Sequence, residues 1–81
     1  MNKYEVEFFS ICPINEVRIK YFLCITKKER IMAEDLVTHV DSYDDGIHED
    51  IADHLFETFG GYQVLAAEHH GVKITTTRGK L

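Results

Sequence analysis

Cys12 stands beside the only proline of the chain in the run FFSICPIN, Phe8 to Asn15, directly after a stretch that alternates as a strand does. A thiol at a proline-fixed strand end is a candidate nucleophile, because sulfur attacks as its thiolate and adds to polarised carbon. An ordinary thiol ionises only near about pH 8.5, so a nucleophilic one needs a cation, a helix N-terminus or a base beside it. Arg18 and His48 are the residues here that suit that task. A free cysteine is as readily a small buried hydrophobe, and Cys24, inside an apolar alternating run, reads that way.

A second polar group, His48-Glu49, opens the segment GIHEDIADHLF. Glu49 falls in the first turn of an expected helix, where its carboxylate can accept hydrogen bonds from a ligand. Acidic residues in that turn, here with Asp44, Asp45 and Asp50 around it, also stabilise the helix dipole by about 0.3–1 kcal/mol each. Five histidines invite a metal reading, with Cys12, His69 and His70 as the set a zinc ion would use. Adjacent histidines on a strand point to opposite faces, however, and no Cys-x-x-Cys or His-x-x-x-His spacing completes a site; no metal is expected.

The elements that must hold these groups follow from the periodicity. Tyr4, Val6 and Phe8 alternate with Glu5 and Glu7, which predicts a half-buried strand over Tyr4 to Ser10. Past the Cys12-Pro13 break, Val17, Ile19, Tyr21 and Leu23 alternate with Arg18, Lys20 and Phe22, a second strand running to Thr26 and suited to pair with the first. From Met32 the spacing changes to three and four, with Leu36, Val37, Val40 and Tyr43 on one helical stripe. Asp44-Asp45-Gly46 then supplies a turn, with Asp45 a candidate N-cap. A second helix carries Ile47, Ile51, Ala52, Leu55, Phe56 and Phe59 and ends at Gly60-Gly61. Tyr62 to Ala67 and Val72 to Thr77 close the chain as β-prone runs joined around Gly71. The expected architecture is α+β in the order ββααββ, with two helices on one face of a four-stranded antiparallel sheet.

At 81 residues this is one domain, 1–81, of a size that buries only roughly 60% of its unfolded surface, so self-association through open sheet edges is expected. A 44% hydrophobic content with five phenylalanines and four tyrosines points to a folded soluble chain, and no apolar run is long enough for a membrane span. Lys3, Glu5 and Glu7 interrupt the first apolar residues, so no signal peptide is read and the cytoplasm, with both cysteines reduced, is the expected compartment. The net charge of −5 opposes binding to phosphate backbones.

Taken in order, FFSICP resembles the strand and turn that present the nucleophilic cysteine in the 7-cyano-7-deazaguanine (preQ0) reductase family (QueF and QueF-like). GIHEDIADHLF resembles that family's Phe-His-Glu segment, and YQVLAAEHHGVKI is similar to its last strand pair. The resemblance implies the tunnelling fold (T-fold) and a thioimidate formed by Cys12 on the nitrile of a deazapurine. His48 and Glu49 would contact the base, a carboxylate being suited to the adjacent N–H donors of a guanine-like edge. It implies NADPH as cofactor for reduction in queuosine biosynthesis. For the family's amidine-forming branch, which adds ammonia to make archaeosine on tRNA, it implies no reductant. The family's aspartate after the cysteine has no counterpart in INEVR, leaving Glu16 as the candidate proton donor. Glu34 and Asp35 stand where the family carries cofactor-binding lysine and serine. The resemblance also implies a homo-oligomeric ring in which Cys12 of one subunit meets Glu49 of a neighbour. A non-catalytic purine- or pterin-binding module is the alternative from another class.

Overall fold

The computed structural model describes residues Met1–Leu81. Strands β1 (Asn2–Ile11) and β2 (Arg18–Lys27) form a hairpin, helices α1 (Ala33–Val40) and α2 (His48–Phe59) follow, and β3 (Tyr62–His69) and β4 (Val72–Arg78) form a second hairpin. The four strands lie in sequence order in one antiparallel sheet. The ββααββ order and the antiparallel pairing are those the periodicity predicts.

Alternation decides which face is covered. Phe8, Ile19, Tyr21, Leu23, Ile25, Leu65 and Ala67 point to one side and are buried there with Leu36 and Val40 of α1 and Ile51, Ala52 and Leu55 of α2. The out-of-phase set, including Phe9, Ile11 and Phe22, stays exposed on the other face. One apolar face per element drives this two-layer arrangement, because only the layer between sheet and helices removes both faces from water. Neither helix is long and apolar enough to cross a membrane.

Two local expectations are corrected. Tyr43 lies outside α1, which ends at Val40. Its ring nonetheless packs against Phe8, and its hydroxyl meets His39 Nε2 at 2.9 Å and His54 Nδ1 at 2.7 Å. Burial pushes that phenol up to about 12. Asp45 is not the cap of α2 either: the cap position is Ile47, with extended backbone and no side-chain hydrogen bond. The Asp44–Gly46 segment instead clips onto the end of β1. Ile11 N–H donates to the Asp44 carbonyl at 3.1 Å, and the Ile11 carbonyl accepts from Gly46 N–H at 3.2 Å. That clip brings the first turn of α2 beside the residue after Ile11, which is Cys12.

The far end of α2 is closed by Gly60, at φ 67°, and by Gln63, whose buried amide donates to the carbonyls of Leu55 at 3.0 Å and Gly60 at 2.8 Å. The buried Gln63 amide is thereby paired and ties the start of β3 to the last turn of α2.

Candidate active site

The β1–β2 connection is a tight loop. Cys12 N–H donates to the Val17 carbonyl at 2.9 Å, and the Cys12 carbonyl accepts from Glu16 N–H at 2.7 Å, with Glu16 at φ 61°. Asn15 stiffens it from outside, accepting from Val17 N–H at 3.2 Å and donating its amide to His70 Nε2 at 2.7 Å. The β3–β4 turn on the other side of that contact, His70-Gly71, has both residues at positive φ, the two-residue geometry that fits the twist of a hairpin. One end of the sheet is thus tied loop to loop, with the start of α2 beside it.

A cleft of about 400 Å³ opens at this end. Cys12 and Ile14 line it from the loop, Ile47, His48 and Glu49 from the start of α2, and His69 and Ile74 from the second hairpin. Cys12 is buried, at 7% exposure, while the Glu49 side chain is exposed at the rim. Three of the sequence-predicted site residues, Cys12, His48 and Glu49, therefore line one cleft within a single chain. The clip at Ile11 brings the Cys12 loop and the start of α2 to the same cleft within one chain. Glu16 is not among the cleft residues; the turn that the hydrogen bonds of Cys12 impose leaves it on the exposed outside of the loop. Cys12, His69 and His70 do not converge on a metal position, since no three His, Cys, Asp or Glu residues cluster closely enough to hold an ion.

His48 is the polar residue most enclosed here, at 4% exposure. Its Nε2 lies 3.2 Å from the Leu65 carbonyl, which can only accept, so the ring donates there and carries its proton on Nε2. Nδ1 is then the lone-pair nitrogen, buried and without a partner. Burial holds His48 below the usual imidazole value, opposed by the Leu65 hydrogen bond and assisted by the charges of His69 and Arg78. A neutral imidazole with a free lone pair is a proton acceptor. Tyr21 packs its ring 5.4 Å from that of His48 and keeps a buried hydroxyl without a partner. Burial first, and the negative charge of a Cys12 thiolate second, push its phenol up, so it stays protonated.

The neutral preference of His48 has a consequence for stability. As pH falls below the ordinary imidazole value of about 6.5, the unfolded chain takes up a proton that folded His48 resists. Stability is therefore expected to fall through that window and to level off below the lowered folded value. Half-buried His39, lowered by desolvation and by His54, adds to the same slope. Thermal melts between pH 7.5 and about 5 should show a shallower fall for His48→Gln than for the parent protein; equal slopes would refute the assignment.

His69 is the cleft residue that the sequence reading placed only in a zinc set. The signal for it was available: Leu65, Ala67 and His69 share one strand phase, so the residue following two core positions must face the helices.

No protein-family model matches the chain, and no curated protein matches it. Among solved structures it is similar to the crystal structure of the archaeosine synthase QueF-Like in the apo form. The TM-score is 0.63 at 18% sequence identity, over 95% of this chain and 89% of that one. At such identity the likeness is one of fold, and the chain has the tunnelling fold.

Proposed function

We propose that this protein is a nitrile-processing enzyme of the preQ0 reductase type, in which Cys12 adds to the nitrile carbon of 7-cyano-7-deazaguanine to form a thioimidate. The observation that carries this reading is that Cys12, His48 and Glu49, found in separate motifs, line one cleft. His48 Nδ1 is the acceptor for the thiol proton, and the Glu49 carboxylate at the rim takes the N–H donors of the base edge. Ile14, Ile47 and Ile74 supply apolar walls for a flat ring.

The fate of the thioimidate depends on what reaches it. The residues present do not fit a nicotinamide phosphate at this cleft. Lys27 and Lys28 stand at the end of β2 remote from Arg18 and the Cys12 loop, and the first turn of α1 carries Glu34 and Asp35. Addition of ammonia, giving an amidine without a reductant, is the outcome this favours. The exposed apolar face at Phe9, Ile11 and Phe22, with β1 and β4 as free sheet edges, supports a homo-oligomer.

Intact mass spectrometry after incubation with 7-cyano-7-deazaguanine is expected to show one adduct, mapped to Cys12 and discharged by ammonia. Discharge by NADPH instead would replace the amidine reading with the reductase one. Binding without an adduct would leave a purine-binding module. Native mass spectra of the same sample are expected to show more than one copy, and a monomer would remove the oligomer.

A further inference from the structure

Adding a thiol across a nitrile moves a proton as well as forming a bond. The thiol loses its proton, sulfur bonds to the nitrile carbon, one π pair of the C≡N bond passes to nitrogen, and that nitrogen must gain a proton. The cleft contains four groups able to take part: Cys12, His48, Glu49 and His69. Glu49 is an exposed carboxylate at the rim. His48 cannot turn to deliver a proton from Nε2 without breaking its bond to Leu65. Glu16 does not line the cleft.

His69 is left, and its surroundings distinguish it from a surface histidine. It is half-buried, its Nε2 is closed off from solvent with no partner, and its ring centre lies 6.2 Å from that of His48, whose Nδ1 is likewise enclosed and unpartnered. An enclosed polar atom without a partner is costly to keep, and a fold that holds two of them in neighbouring rings beside a cleft is unusual unless a proton or ligand uses them. His70, next in sequence, shares none of this: it is exposed and tied to Asn15.

We propose that His69 is the acid of the addition step, passing a proton to the nitrile nitrogen from Nδ1 and recovering one at Nε2 from His48. The proposal rests on the nitrile reading of the site. His48 Nδ1 takes the proton of the Cys12 thiol, the Cys12 Sγ–C bond forms as the π pair moves to nitrogen, and His69 Nδ1–H protonates that nitrogen. The proton on His48 Nδ1 then passes to His69 Nε2. His48 ends as it began and His69 ends as the other neutral tautomer, so the thioimidate forms with no outside acid, base or reductant. Besides Cys12, the ionisable groups around His69 are His48 and Glu49 from α2, with Tyr21 of β2 behind His48; from β4, Val72 and Ile74 carry no charge.

The test compares the parent protein with His69→Asn, both in a Cys24→Ser background. Two nitriles are used: 7-cyano-7-deazaguanine and the small thiol-reactive 2-cyanopyrimidine, which needs no recognition of a purine. With either one, His69→Asn is expected to form the Cys12 thioimidate roughly 10²–10³-fold more slowly, with an altered pH–rate profile. A His69→Ala protein should be partly rescued by added imidazole, which a merely structural role for His69 would not allow. A rate for His69→Asn within about threefold of the parent, with the same pH profile, overturns the proposal. A parent that reacts with 2-cyanopyrimidine but not with the deazaguanine overturns the substrate reading alone, and the variant comparison still decides on His69. A parent inert to both overturns the two together.

Discussion

Cys12→Ala is expected to abolish the thioimidate and to reduce turnover by roughly 10⁴-fold or more, as removal of an enzyme's nucleophile does, while leaving the protein folded. The fold prediction follows from position. Cys12 closes the β1 end through backbone groups, its N–H to Val17 and its carbonyl to Glu16, and alanine keeps both. Only the sulfur is lost from a 7%-exposed site at the margin of the core, a change expected to cost about 1 kcal/mol. Glu49→Ala should separate from it in kind, weakening deazapurine binding while an unrecognised nitrile still reacts at Cys12. Product formation by liquid chromatography and a thermal melt decide the first point. Turnover of Cys12→Ala within tenfold of the parent would mean that the thiol is a packing residue and that the chemistry, if any, lies elsewhere.

What the sequence made legible was the part that obeys a period. The strand phases of Tyr4–Ser10 and Val17–Thr26 fix which side chains meet the helices, and a one-residue error there would have inverted every one of them. The burial of Ile51, Ala52 and Leu55 on α2 likewise needed only the helical angle, although Ile47 and Phe56 of the same expected stripe are exposed. What failed lay in connections, where the backbone is set by hydrogen bonds between segments distant in sequence. Tyr43 matched the helical spacing by angle alone, but the chain had already left α1 and presents the ring from a turn. Asp45 had the chemistry of an N-cap, yet its segment is occupied in pairing with Ile11. That same pairing joins the Cys12 loop to His48-Glu49. The motifs named Cys12, His48 and Glu49 while giving no means of knowing that the three line one cleft. Glu16 has the carboxyl group a proton donor needs, but its backbone is left-handed and it is not among the residues lining the cleft.

Gly61→Ala is expected to be among the most destabilising single-methyl changes in the chain. Gly61 sits at φ 75°, where a side chain is disfavoured by about 1–2 kcal/mol. It also lies under β2 as the chain turns from α2 into β3. A Cβ there would stand 2.8 Å from the Thr26 carbonyl oxygen and 2.9 Å from the Lys27 Cβ, the first of these being backbone that cannot rotate away. Relieving that contact means moving the corner off β2 just where Thr26 pairs with Tyr62, an overpacking cost of a further 1–3 kcal/mol or so. A total near 3 kcal/mol corresponds to a fall in melting temperature of more than about 12 °C for a domain of this size. Gly71→Ala provides the comparison, because Gly71 has nearly the same φ, 81°, but nothing within 4 Å of the added carbon. Its cost should be the backbone term alone. The difference between the two melts then measures the close approach at the α2–β3 corner, and equal melting temperatures would show that the corner yields. Since Gly61 lies at the opposite end of β3 from His69, the folded fraction of Gly61→Ala at low temperature should still form the Cys12 thioimidate at the parent rate. Loss of that reactivity would mean that the cleft depends on packing across the whole sheet rather than on the local clip at Ile11.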